Sequence, residues 1–330
     1  ILRDAFINNN IFTLNQLNSF GKTGIGNEQI YNQGYSLAEY FTERFGYSIL
    51  KSISKNISHP LQYSFGGAIK QATGLSMEDI YSSWYEEMSL KYKTKNNKYK
   101  LRETILIDEG STNIHPAWSP SNEKFAYLSN AKKDYFGQTD LYVYNFLDSV
   151  SKKIDSGVFS APVWVNDSTI IYSKKSKPNK HGSKFYDLYL VSTHKKNNKP
   201  KRITVDMRLT SPSINKEINK IAAVGISDGT SNIFEANLDL DSLDIIEFKK
   251  VTNYSNGEKI FSLSYDSDDI VFDLLIKNHG RDIYILSSKD GQIAPFKENV
   301  YDERDPHSDN NKTVYSADMN GVYNIYLMDN

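Results

Sequence analysis

His115-Pro116-Ala117-Trp118-Ser119-Pro120-Ser121-Asn122-Glu123-Lys124-Phe125-Ala126-Tyr127-Leu128-Ser129-Asn130, followed by Asp140-Leu141-Tyr142-Val143-Tyr144, is the stretch on which the fold turns. It reads as a short strand containing proline, a turn at Ser121-Asn122, and a second strand of small and aromatic residues. A third strand then opens on an acid followed by an aliphatic and an aromatic residue. Short runs of β-branched and aromatic residues between turn formers are the mark of half-buried strands.

The plan recurs. The third-strand motif returns as Asp187-Leu188-Tyr189, Asn232-Ile233-Phe234, Asp282-Ile283-Tyr284 and Asn324-Ile325-Tyr326, at spacings of 47, 45, 50 and 42 residues. Ahead of each lies a strand such as Thr169-Ile170-Ile171-Tyr172-Ser173, Lys220-Ile221-Ala222-Ala223-Val224, Asp269-Ile270-Val271-Phe272 or Thr313-Val314-Tyr315-Ser316. Ahead of those come Ala161-Pro162-Val163-Trp164, Ser211-Pro212-Ser213-Ile214 and Asp305-Pro306-His307-Ser308; the fourth unit has Phe261-Ser262-Leu263-Ser264 and no proline. A sandwich would supply strands, but not one short motif at one position five times. A unit of 42–50 residues holding about four short strands is a propeller blade. The spacing places the blades at about 101–148, 149–195, 196–244, 245–290 and 291–330. The last stops after its third strand, so a chain truncated at its C-terminus is expected.

The first stretch resembles the repeat of the TolB family, a WD40-like propeller repeat of the form x-P-x-W-S-P-D-G-x-x-I-A-[FY]-x-S followed by a [DN]-I-Y strand. Here Ser121-Asn122 replace the Asp-Gly turn, one set of turn formers for another. The resemblance covers roughly 101–330 and implies a TolB-like propeller that binds proteins or peptides, in the periplasm or another extracytoplasmic compartment.

Residues 1–90 read as helices. Tyr31, Tyr35, Ala38, Phe41 and Phe45 make one stripe, and Gly46 stands where a glycine would end it. Leu61, Phe65, Ala68, Ile69 and Ala72 make a second, with Pro60 at its start and Gly74 past its end. A third begins at Ser76, with Asp79 in a capping-box role, Leu75 and Ile80 at the staple positions, and Ile80, Trp84 and Met88 as its buried stripe. Residues 91–100, with five lysines and no aliphatic residue, read as a solvated linker.

This segment, with Ile30-Tyr31-Asn32-Gln33-Gly34 early and Gln71-Ala72-Thr73-Gly74-Leu75-Ser76 through Trp84 late, is similar to the helical region that follows the zinc site in gluzincin metallopeptidases of the peptidase MA type. Gluzincins use an H-E-x-x-H helix and a downstream Glu. Neither is present; the six histidines include no pair four apart. The resemblance therefore implies that both elements precede Ile1, that this chain alone holds no cofactor and is inactive, and that zinc belongs only to the full-length parent. It also implies that Tyr31, matching a Tyr-x-x-Gly, donates to a tetrahedral oxyanion. The plain alternative is that Tyr31 belongs to the apolar stripe.

The remaining signals bound the partners. The net charge of −1 gives no reason to expect nucleic acid, and no apolar run spans a bilayer. Zero cysteines exclude disulfides and thiolate chemistry. Gly21-Lys22-Thr23 lacks the earlier glycine of a phosphate loop. Asp266, Asp268, Asp269 and Asp273 do not follow a calcium-loop pattern, and Asp266-Ser267-Asp268 reads as a hairpin turn. The Lys- and Asn-rich stretches 174–184 and 195–202 read as loops. His115 and His307, beside the proline strands, are candidates to face the central channel and touch a ligand. The expected fold is an α-helical subdomain followed by an all-β propeller. Two functions fit: a piece of an extracytoplasmic zinc metallopeptidase-like protein with a ligand-binding propeller, or a non-enzymatic propeller scaffold for protein–protein interaction in the cell envelope.

Overall fold

A computed structural model describes residues 2–18, 21, 24–60, 64–93, 105–194, 199–245, 247–296, 300–309, 311–319, 321 and 323–329. The chain divides into two compact units, Ile1–Asp108 with Asp134–Phe136, and Glu109–Lys133 with Gly137–Asn330. No helix among the described residues is long and apolar enough to cross a membrane.

The first unit is helical: α1 (Leu2–Ile7), α2 (Leu14–Leu17), α3 (Gly24–Phe45), α4 (Ser48–Ile57), α5 (Phe65–Thr73) and α6 (Met77–Lys93). Their core joins Phe6, Leu37, Tyr40, Phe41, Ile49, Ile53, Ala68, Ile69, Ile80, Trp84 and Met88. α6 starts as expected. Ser76 Oγ accepts from the Asp79 amide at 3.1 Å and the Asp79 carboxylate accepts from the Ser76 amide at 3.3 Å. Gly46 and Gly74 end α3 and α5 at φ +76° and +78°, values that favour glycine.

Three expectations need correction. The buried side of α3 is Gln33, Ser36, Leu37, Tyr40 and Phe41, while Tyr31 and Tyr35 are exposed. Two polar residues can sit inside because each is satisfied. Gln33 exchanges two hydrogen bonds with the Phe12 backbone, and Ser36 Oγ accepts from Trp84 Nε1 at 3.1 Å. α5 starts at Phe65 with Ser64 as its cap, accepting from the Gly67 amide, and not at Pro60; Leu61 lies outside the described residues. The lysine-rich segment is helical through Lys93, and 94–100 lies outside the described residues. α4, which the sequence reading passed over, buries Ile49 and Ile53, one helical turn apart.

The second unit is a five-blade β-propeller. Its sheets are β1 (Asn113–Trp118), β2 (Lys124–Ser129), β3 (Asp140–Asn145) and β4 (Val150–Ser156); β5 (Val163–Asn166), β6 (Thr169–Lys175), β7 (Tyr186–Ser192) and β8 (Lys201–Arg202); β9 (Leu209–Asn215), β10 (Lys220–Ser227), β11 (Thr230–Asn237) and β12 (Lys249–Lys250); β13 (Lys259–Asp266), β14 (Asp269–Ile276), β15 (Gly280–Leu286) and β16 (Ile293–Pro295); and β17 (Glu303–Asp309), β18 (Lys312–Ala317) and β19 (Asn324–Asp329). Every sheet is an antiparallel meander in chain order. The outer strands β4, β8, β12 and β16 pair with β3, β7, β11 and β15, so the sheets close later than 148, 195, 244 and 290. Three of those outer strands are only two or three residues long, which is why the motif spacing did not reveal them.

The motif itself is structural. The opening Asp or Asn turns inward and accepts from the backbone that leads toward the next blade: Asp140 from the Gly157 amide, Asp187 from those of Asp206 and Met207, Asn232 from that of Tyr254. The aliphatic residue after it, Leu141, Leu188, Ile233 or Ile283, is fully buried between its own sheet and the following one. Side chains also stitch neighbouring blades: Trp164 Nε1 donates to the Ala117 carbonyl at 2.9 Å, and the Ser308 amide donates to Ser264 Oγ at 3.1 Å. Asn122, at φ +60°, fills the turn position where an Asp-Gly turn would use glycine, and Ser267, at φ +51°, sits in the turn between β13 and β14.

Candidate binding site at the inner strands

Four inner strands, β1, β9, β13 and β17, and the segment leading into β5 carry one equivalent position of each blade: His115, Ser211, Phe261 and Asp305, with Ala161 ahead of β5. In four of them a bulge lifts this residue and its successor out of the ladder, between Ile114 and Ala117, Thr210 and Ser213, Ile260 and Leu263, and Arg304 and His307. A proline costs nothing there because no ladder amide is needed. His115, Ser211 and Asp305 each precede a proline and stand at φ +55°, +48° and +53°, a region costly for a residue with a Cβ and held only by the surrounding sheet.

The fourth blade, without the proline, shows what the bulge requires. Ser262 has an amide to satisfy, and the buried Asp273 of β14 takes it at 3.0 Å, together with the Phe261 amide at 3.0 Å and the Ser262 hydroxyl at 2.8 Å. Asp273 also binds Arg281 Nη2 at 2.6 Å and accepts from the Asp305 amide at 3.0 Å, tying blade four to blade five. The Arg281 guanidinium lies 4.0 Å from the centre of the Phe261 ring and reaches Asp305 Oδ1 at 3.4 Å. Ser211 Oγ donates to the Phe261 carbonyl at 2.8 Å. A second arginine repeats the motif beside it: Arg304 donates to Asp302 at 2.9 Å and lies 4.4 Å from the centre of the Tyr323 ring. That hydrogen bond holds the Asp302 carboxyl below its ordinary range. The Nε atoms of Arg281 and Arg304 are buried without a protein partner.

His115 is accessible to solvent, yet burial lowers its pKa, with Asp305 pulling the other way. His307 is placed differently. It pairs across β17 and β18 with Val314, which pairs with Leu327, so it shares a cross-strand row on the accessible face of the fifth sheet and not the ring position of His115. Tyr31 is 67% exposed on α3, outside the helical core. Phe261 and Arg281 escaped sequence reasoning because the fourth unit lacks the proline that marks the position elsewhere. The signal was the alignment of Phe261-Ser262 with the X-Pro pairs.

The ring offers an aromatic surface under a guanidinium, an exposed carboxylate and an imidazole, groups that recognise peptide side chains and termini. Among the described residues no group of three His, Asp or Glu is placed to hold a metal ion, so the zinc implied by the gluzincin resemblance finds no donor set among them.

Comparison with protein-family models finds no match, and comparison with curated proteins finds none. Solved structures do match. Hydrazine synthase of Kuenenia stuttgartiensis superposes on 68% of this chain and 38% of its own at 13% identity, TM-score 0.55. The β-propeller domain of the Trilobed protease of Pyrococcus furiosus covers 67% and 66% at 13% identity, TM-score 0.49. TolB of Acinetobacter baumannii covers 66% and 54% at 14% identity, TM-score 0.43. The chain spans less than two thirds of each of these three. At such identities the likeness shows the fold alone: the second unit is a β-propeller with TolB among its structural neighbours.

Proposed function

We propose that the propeller unit is a protein- or peptide-binding module whose ligand meets the inner-strand ring. The observation that carries this reading is Arg281, stacked on the half-exposed Phe261 ring beside the exposed carboxylate of Asp305, where side chains of blades three, four and five meet. Flat aromatic and guanidinium groups lose little freedom on binding and recur at the centres of protein interfaces. The test is selection of binders from a random peptide display library on the wild-type chain. Phe261→Ala should weaken the selected peptides by about tenfold or more, a loss of roughly 1.4 kcal/mol, while Leu147→Ala, at an exposed position of blade one, leaves them unchanged. Equal binding by both variants removes the ring from the function.

For the helical unit we propose the region that follows the zinc site of a gluzincin-type peptidase, in an extracytoplasmic protein, with Tyr31 facing the reaction and His115 and His307 serving the propeller ligand. The sequence likeness quoted above supports this, and the exposure of Tyr31 leaves its hydroxyl accessible. An H-E-x-x-H encoded upstream of Ile1 is the required companion. A coding sequence without it returns the protein to the scaffold reading, a propeller that only binds.

A further inference from the structure

The second and third strands of blade two are joined by residues 176–185, where blade three uses only 228–229 and blade four 277–279. With the end of β6 included, the stretch from Lys174 to Lys184 holds five lysines and no acid. The chain carries −1 in all, so this stretch at +5 stands against −6 spread over the rest. Its cations are also unmatched. Elsewhere in the propeller Lys153 pairs with Asp140, Arg202 with Asp187, Lys220 with Glu235 and Arg281 with Asp273, and at the base of the hairpin Lys174 pairs with Asp155. Among the described residues no carboxylate pairs with Lys175, Lys177, Lys180, Lys184 or Arg208, all of them exposed.

Like charges repel, yet the hairpin has a fixed form. Asn179 Oδ1 accepts from the amides of His181 at 2.9 Å and Ser183 at 3.1 Å, and the Asn179 amide donates to the Ser183 carbonyl at 2.8 Å. At the base the Ser176 amide donates to the Phe185 carbonyl at 2.7 Å, and Ser176 Oγ accepts from the Phe185 amide at 3.3 Å. The Arg208 guanidinium lies 4.4 Å from the centre of the Phe185 ring, and Phe159, 56% exposed, packs on Tyr186 with ring centres 4.6 Å apart. Val158 bridges to Lys174, so the segment that carries Ala161 runs beside the base of the hairpin. We propose that this hairpin is a docking surface for a short acidic peptide segment, with carboxylates meeting Lys177, Lys180, Lys184 and Arg208 and an aromatic side chain covering Phe159. The charge distribution selects that class. A nucleic-acid duplex or an anionic membrane spreads its charge widely and would also meet the acidic remainder of the chain, which opposes it. A short segment meets the hairpin alone. The surface does not require the inner-strand ring.

The test is fluorescence anisotropy on the purified chain with a labelled short peptide alternating glutamate and tyrosine, beside a counterpart alternating glutamine and tyrosine. The glutamate peptide should bind tighter by about tenfold or more, and its affinity should fall as added salt shortens the screening length. Lys177→Glu, Lys180→Glu and Lys184→Glu together should weaken it by about tenfold or more, while Lys249→Glu with Lys250→Glu, at exposed positions of β12, leaves it unchanged. Asn179→Ala keeps every charge but frees the hairpin, and should weaken binding by roughly threefold or more through the ordering then required. Phe261→Ala should have no effect on this probe, so failure of the ring and failure of the hairpin are told apart. Wild-type affinity in the triple lysine variant overturns the proposal, and so does wild-type affinity in Asn179→Ala, which would reduce the surface to diffuse charge. Loss of binding in Phe261→Ala overturns it by moving the acidic ligand to the ring. A short DNA duplex or phosphatidylglycerol vesicles binding as tightly as the glutamate peptide overturns it in favour of those partners.

Discussion

Asp187 shows how much one residue of the repeat carries. Its fully buried carboxylate receives Arg202, the Thr204 hydroxyl at 2.9 Å and the Asp206 and Met207 amides at 3.2 Å each. The turn from β8 into β9 is thus built around one side chain of β7. Asp187→Ala leaves a guanidinium, a hydroxyl and two amides without an acceptor, and should cost about 3–5 kcal/mol in urea unfolding of the propeller. Asp187→Asn keeps one oxygen and should cost roughly 1.5–3 kcal/mol. A loss below about 1 kcal/mol for the alanine variant would show that the turn stands without it. Gly225 is constrained in the opposite sense. A Cβ there would lie 2.5 Å from the Phe234 ring, so its smallness is required by cross-strand packing and not by a positive φ.

At the scale of elements, α6 is the best-specified helix, because cap and buried stripe agree. The Ser76 hydroxyl and then its amide hold the Asp79 carboxyl below its ordinary 3.8. A depressed carboxyl stabilises the fold above its unfolded pKa, and that contribution is lost as pH falls through the folded value. Ser76→Ala should therefore lower stability at neutral pH, and the gap to wild type should narrow as pH falls below roughly 4. Thermal melts at stepped pH measure it; a gap independent of pH would mean that the reciprocal bond to Asp79 contributes nothing. α3 teaches the contrary lesson. Its tyrosines fit an apolar stripe on paper, but a ring with a hydroxyl can stay wet, and the true buried side includes Gln33 and Ser36, which no hydropathy pattern selects.

Across the propeller several tyrosines are shielded by packing: Tyr172, Tyr189, Tyr265 and Tyr315 lie between blades, and Tyr127 and Tyr142 face each other on the side of blade one away from blade two. Burial raises the phenols of Tyr127, Tyr142, Tyr172, Tyr189, Tyr265 and Tyr315, and pushes Tyr254 up to about 12. Tyr172 donates to Asp155 between blades one and two, and Tyr265 to Glu235 at 2.9 Å between blades three and four. Groups whose folded pKa lies above the unfolded 10.0 stabilise the fold fully below that value and lose the contribution as pH rises through it. The expected outcome is a propeller whose melting temperature is flat to about pH 10 and then falls steeply. Ultraviolet phenolate absorbance should lag that of the unfolded chain. A phenolate titration matching free tyrosine in the native state would mean that the inter-blade rings are solvated.

The strand units, the helices' glycine stops and the α6 cap were all legible in the sequence. Each depends on contacts within one element or on a pattern repeated five times, and repetition averages away local ambiguity. The ring at the centre was only partly legible. His115 and Asp305 share an X-Pro signature, but Phe261 and Arg281 join them through Asp273, whose role arises because Ser262 has an amide that proline would lack. That compensation crosses two strands and two blades, distances over which sequence spacing carries no information. Tertiary packing alone decided which face of α3 is dry, and that Ile325, identical in motif to the buried Ile283, is exposed. A motif specifies which way a side chain points; burial depends on whether another sheet lies there to meet it.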